Sequence, residues 1–157
     1  MSAPTNQAYQ RLRAWAAGDL ALEAATELMI TASHGRFVQP EWPWMHPTAH
    51  GQWIDFSTIP VQIGALSGGE QRLLRIAASI GSPDTTVNLY DCLALDRASL
   101  QLVLKAVAHA CGHPNCKIII SPDGRGPLTT TGSAKAVTST SVPAGRSKSD
   151  TGGSRSL

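Results

Sequence analysis

Apolar residues recur at helical spacing along the first quarter of the chain. Tyr9, Leu12, Arg13 and Ala16 stand three or four positions apart, Gly18 can close that helix, and Asp19 can cap the next. From Leu20 the positions Leu20, Ala24, Leu28 and Ala32 repeat every fourth residue, Leu22, Met29 and Ile30 broaden the stripe, and Gly35 is the expected stop. The periodicity then breaks. Residues 37–51 hold Pro40, Pro43 and Pro47 among Trp42, Trp44, His46 and His50; prolines at this density forbid a regular helix, while tryptophans seek cover, so an ordered, irregular flap on the core is expected. Trp53, Ile54, Asp55 and Phe56 alternate as a strand does, and Ile59, Val61 and Ile63 alternate around Pro60, predicting a strand that ends or becomes an edge at the proline.

A second helical region follows. Ser67-Gly-Gly-Glu70 has the form of a capping box, and Leu73, Leu74, Ile76, Ala77 and Ile80 line one face of a helix that Gly81 and Pro83 end. Val87 to Tyr90 reads as a short strand. Asp96 caps a last helix in which Leu100, Val103, Leu104 and Val107 repeat, with Gly112 at its end, and Lys117 to Ile120 can add a third strand. The predicted fold is α+β and mainly helical, with about four helices packed on a small two- or three-stranded sheet built from Trp53–Phe56 and Val87–Tyr90.

Composition places the boundary of this domain. Of the 37 residues from Ser121 to Leu157, 23 are Ser, Thr, Gly or Pro, too few apolar groups to offset the entropy of ordering a backbone. A single folded domain over 1–120 and a disordered basic tail over 121–157 are therefore expected. The formal charge of +2 divides at the same line: the tail carries five Lys or Arg against two Asp, the body eight against nine acids. No apolar run reaches the roughly 18 residues of a membrane span, no signal peptide is visible, and three cysteines are too few for a disulfide framework. A small cytoplasmic protein is the expectation.

Among motifs, Leu66-Ser-Gly-Gly-Glu-Gln-Arg72 resembles the signature segment of ABC-type ATPases, and the likeness extends through Asp91 to Ala94-Leu-Asp96. The resemblance implies that Ser67, Gly68 and Gly69 contact an ATP phosphate held by a partner and that Asp91 approaches its magnesium. The departures are large: no phosphate-cradling Gly-x-x-x-x-Gly-Lys-Ser/Thr loop occurs, Cys92 stands where that family has a catalytic glutamate, and only 65 residues precede Leu66. A capping box and an amphipathic helix account for Ser67 and Glu70 without nucleotide. The body also resembles small actinobacterial proteins in which a Trp-Ile-Asp-Phe strand precedes a Ser-Gly-Gly-Glu-Gln-Arg helix, which implies a fold and no site.

Cys111, His113 and Cys116 form a weak zinc-ligand cluster, with Cys92, His46 or His50 as a fourth ligand, although the spacing is not a Cys-x-x-Cys knuckle. No metal is the expectation. Nucleophile, acid and base are nowhere paired by spacing, so catalysis is not expected. The tail's Arg125, Lys135, Arg146, Lys148 and Arg155 lack interleaved aromatics, which limits nucleic acid to weak phosphate contact. What remains is a protein-binding or regulatory module acting through helix faces and the flap, where Trp42, Trp44 and His46 are the candidate contact residues. Alternatives are a nucleotide-responsive protein using Ser67, Gly68, Gly69 and Asp91, and a small zinc-binding protein.

Overall fold

A computed structural model of the chain describes residues 6–49, 51–120 and 129–130. Six α-helices dominate it: α1 (Asn6–Ala16), α2 (Leu20–Thr31), α3 (Ile59–Gln62), α4 (Gly68–Gly81), α5 (Leu89–Leu93) and α6 (Arg97–Ala110). Two antiparallel strand pairs accompany them, β1 (Met45–Thr48) with β2 (Gly51–Ile54), and β3 (Ile118–Ile119) with β4 (Thr129–Thr130). The architecture is α+β and mainly helical, as the periodicity predicts.

Helix α2 lies at the centre, with α1, α4 and α6 packed around it. Its sequence fits that place, since Ala24, Ala25, Thr26, Leu28, Met29 and Ile30 are all buried and cover more than one face. Its only charges are both matched. Glu27 takes a bidentate pair of hydrogen bonds from Arg13 on α1 (2.8 and 3.0 Å). Glu23 accepts from the Gly18 amide (2.8 Å) and lies 3.2 Å from His109 Nε2 on α6. These contacts hold the Glu23 carboxyl below its ordinary value, the Gly18 amide contributing most and His109 next. The break between α1 and α2 falls where expected: Gly18 takes a φ of +102° and the Asp19 carboxylate accepts from the Ala21 and Leu22 amides.

After α2 the backbone makes a left-handed turn through Ser33 (φ 48°), His34 (φ 55°) and Gly35 (φ 77°). Only glycine adopts this region freely, and the two residues with side chains there cost about 1–2 kcal/mol each. Gly35 has a second reason to lack a side chain, because a Cβ would sit 2.0 Å from the Tyr9 hydroxyl. The turn delivers Phe37 and Val38 into the core and leads into the tryptophan segment.

Four expectations change. The flap is not irregular throughout: residues 45–48 pair with 51–54, Met45 opposite Ile54 and His46 opposite Trp53. Pro47 is tolerated because both strands of a two-stranded sheet are edges. The sheet of Trp53–Phe56 with Val87–Tyr90 does not form, since β2 pairs with β1 and Leu89–Leu93 is helical. Residues 59–62 form α3 with Pro60 in its first turn, where a missing N–H leaves no intrahelical bond unmade. Finally, Val107 is exposed, so the buried stripe of α6 narrows to Val103 and Ala106. A strand does form at the third expected place, as β3, but it pairs with β4 and not with the first sheet; it is held to α6 by Gln101, which donates to Ile118 O (3.0 Å), and by Arg97, which donates to Ile120 O (2.5 Å). Of the segment from 121 onward only Thr129 and Thr130 are described, paired with β3; the expected tail otherwise lies outside the described residues, as does His50.

Candidate functional site

The two sets of residues singled out from the sequence, the tryptophan segment and the Ser67 cap, meet in one bonded chain. Ser67 caps α4 with a complete box: Glu70 N donates to Ser67 Oγ (3.4 Å), and the Glu70 carboxylate accepts from Ser67 N (3.0 Å) and Ser67 Oγ (2.8 Å). The other Glu70 oxygen accepts from Arg36 (2.6 Å). The Arg36 guanidinium in turn lies 5.9 Å from the Trp42 ring centroid, and Arg36 O accepts from Trp42 Nε1 (2.6 Å). Trp42 stacks on Trp44 at 4.6 Å with 9° between planes, and Trp44 Nε1 donates to Phe37 O (2.9 Å).

This chain decides what the cap can do. A phosphate at the α4 N-terminus would benefit from free amides and the helix dipole, but the Glu70 carboxylate already takes the Ser67 amide and hydroxyl and places a negative charge beside that position. Hydrogen bonds from the Ser67 hydroxyl and amide, and the nearby Arg36 charge, hold Glu70 below its ordinary carboxyl range. It therefore stays anionic and opposes a second anion. Gly68 and Gly69 are exposed in the first turn beside it. Asp91 lies inside α5, its amide closing on Asn88 O (2.9 Å), and not after the strand expected over Val87–Tyr90.

Ser67→Ala is expected to lower stability by about 0.5–2 kcal/mol, equally with and without ATP and magnesium. Glu70 has a depressed folded-state value, so its contribution is present above the unfolded carboxyl value of about 4.3 and is lost as pH falls through the folded one. Denaturant melts at several pH values should accordingly show a shallower acid limb in Ser67→Ala. An unchanged acid limb would remove Ser67 as the cause.

The flap residues divide. Trp44 is completely buried (0% exposed) and so corrects its assignment as a contact residue; the core takes it because its one polar atom finds Phe37 O. Trp42 is half-buried against Arg36 and Phe37. His46 is half-exposed, its ring 4.9 Å from Trp53 and its Nε2 3.9 Å from Asp55 Oδ2. Ser57 Oγ donates to the other Asp55 oxygen at 2.6 Å. Although this places Ser, Asp and His together, the hydroxyl donates to the carboxylate and not to the imidazole, so the serine–histidine pairing of a nucleophile and its base is not formed.

Cys111 and His113 are exposed at the end of α6, and Cys116 is half-buried in a shallow 380 Å³ pocket with Lys105 and Lys117. Among the described residues no three His, Cys, Asp or Glu side chains are grouped as metal ligands are. None of their helices is long and apolar enough to cross a membrane.

The exposed chemistry lies elsewhere, on α5. Leu89, Tyr90 and Leu93 are 75%, 72% and 76% exposed, while Val87 before them and Leu95 after them pack on the core. The segment is thus moored at both ends and displays its large apolar groups between. The strand expectation for Val87–Tyr90 concealed this surface. Its signals were present: Asn88 accepts from the Tyr90 amide through its side chain (2.9 Å), as a helix-starting residue does, and Leu89 and Leu93 are one helical turn apart. Comparison with protein-family models, with curated proteins and with solved structures yields no match.

Proposed function

We propose that this chain is a non-catalytic protein-binding or regulatory module of the cytoplasm, with α5 as its contact segment. The observation that carries the reading is the display of Leu89, Tyr90 and Leu93 by a segment anchored through Val87 and Leu95. Large apolar side chains grouped on one exposed segment mark an interaction surface, and tyrosine is among the residues enriched where binding energy concentrates. The polar groups support it from the other side, because the most suggestive of them are already spent on structure: Ser67 on Glu70, Ser57 on Asp55, and His109 on Glu23. Cys111 and Cys116 are free thiols, which suits a reducing compartment.

The test is comparative capture. A photo-crosslinker placed at position 93 in the full chain, expressed in its own cells, is expected to trap a defined partner. The trapped partner should be lost from Leu89→Ser chains carrying the same crosslinker, while the melting temperature is unchanged because position 89 is exposed. Identical trapping by both chains would overturn the reading.

A further inference from the structure

The cavity between α6 and β3 is built by a reversal of the chain. Gly112 N donates to His109 O (2.8 Å) and His113 N to Ala108 O (2.9 Å) as α6 ends, a second turn closes with Cys116 N on His113 O (3.1 Å), and Gln101 Nε2 then donates to Ile118 O (3.0 Å). Gln101 and Lys105 stand one helical turn apart, so the returning chain brings Cys116 and Lys117 back beside Lys105. These three residues, with Pro114 and Ile118, line an open cavity of 380 Å³, a size that receives a small organic molecule.

The lining holds two cations and no Asp or Glu. Both ammonium groups are unspent. Among the described residues the ion pairs join Arg13 to Glu27, Arg36 to Glu70, His46 to Asp55 and His109 to Glu23, and neither lysine enters one. Glu27, which shares a small cleft with Lys105, gives both carboxylate oxygens to Arg13. The Cys116 thiol is free and half-buried in the same cavity. Cys111 is also free, but it is exposed, lines no part of the cavity and ends α6, where the helix carbonyls oppose an anion. Reactive thiols occupy partly exposed, electropositive surroundings, and of these two only Cys116 has them.

We propose that this cavity is a thiol-modification site, in which Lys105 and Lys117 draw in a small anionic disulfide and Cys116 forms a mixed disulfide with it. The Cys116 sulfur attacks one sulfur of the small disulfide, the S–S bond of that molecule breaks, and its other half leaves as a thiol that carries away the proton. Cys116 is oxidised and half of the small disulfide is reduced, so no further oxidant is needed. The lysines act twice, on the carboxylates of the incoming molecule and on the negative charge spread over the three sulfurs during exchange. The inference does not rest on the reading of α5, and neither experiment decides the other.

The test uses two full-length single-thiol chains, Cys92→Ser with Cys111→Ser, which keeps Cys116, and Cys92→Ser with Cys116→Ser, which keeps Cys111. Each is treated at low salt with oxidised glutathione, an anionic disulfide, and with cystamine, a cationic one, and the adducts are followed by intact mass. The glutathione-to-cystamine rate ratio should be at least about tenfold higher at Cys116 than at Cys111. Lys105→Gln with Lys117→Gln should bring the two ratios together, as should about 0.5 M salt, since screening acts on the same charges. Lys105→Arg with Lys117→Arg should preserve the difference. Thermal melts establish that each chain is folded. Equal ratios at the two thiols, no adduct at Cys116, or a Cys116 preference that survives loss of both lysines would overturn the proposal.

Discussion

Trp44→Ala is expected to cost about 3–5 kcal/mol, the range found when a buried Trp or Phe is cut to alanine. Trp44 is completely buried, stacks on Trp42 at 4.6 Å, donates to Phe37 O at 2.9 Å, and its own carbonyl accepts from Asp55 N at 2.9 Å. The substitution would open a ring-sized cavity and strand a buried carbonyl. Against a total stability of about 5–15 kcal/mol this is a large fraction, and the midpoint of thermal unfolding should fall by more than about 10 °C. Trp44→Phe separates the two contributions. It keeps most of the volume and loses the hydrogen bond, so about 1–3 kcal/mol should go. Circular dichroism in denaturant reads both. A contact residue on the surface would behave in the opposite way, leaving stability near wild type and losing only a partner; a cost below about 1 kcal/mol for Trp44→Ala would restore that role.

The elements that local chemistry specifies were legible in the sequence. Gly18 and Asp19 mark the break before α2, and Ser67 with Glu70 marks the start of α4, because a positive φ or a capping bond is decided within four residues. Where two periods fit the same short run, the sequence was ambiguous. Ile59 and Ile63 are buried and Val61 is 79% exposed, a pattern that alternation explains; four residues apart is also one helical turn, and α3 uses that instead. The same ambiguity hid α5, where Val87, Leu89 and Tyr90 were read at strand spacing. The candidate site depended on facts no local pattern contains. Trp44 is buried because its indole reaches the carbonyl of Phe37, seven residues back. Trp42 and Ser67 belong to one bonded chain only because Arg36 spans the 34 residues to Glu70.

Gly81→Ala is expected to destabilise the protein by about 1–3 kcal/mol, reversing the sign that helix propensity assigns. In an exposed helix interior alanine is better than glycine by about 0.8–1.0 kcal/mol. Gly81 is the last residue of α4, however, and a Cβ there would lie 2.6 Å from two carbons of the Phe56 ring and 2.8 Å from a third. Phe56 is 3% exposed and belongs to the main core, so its ring has little room to retreat. Overpacking of this kind outweighs the propensity gain. The contact also locks two parts of the fold, since Phe56 lies two residues after β2 and Gly81 ends the helix whose start is tied to the flap through Glu70 and Arg36. A double-mutant cycle isolates it. Phe56→Leu shortens the ring and should relieve the clash, leaving Phe56→Leu with Gly81→Ala more stable than the sum of the single costs by about 0.5–3 kcal/mol. Gly81→Ala that stabilises the chain, or single costs that simply add, would mean that α4 does not close on Phe56.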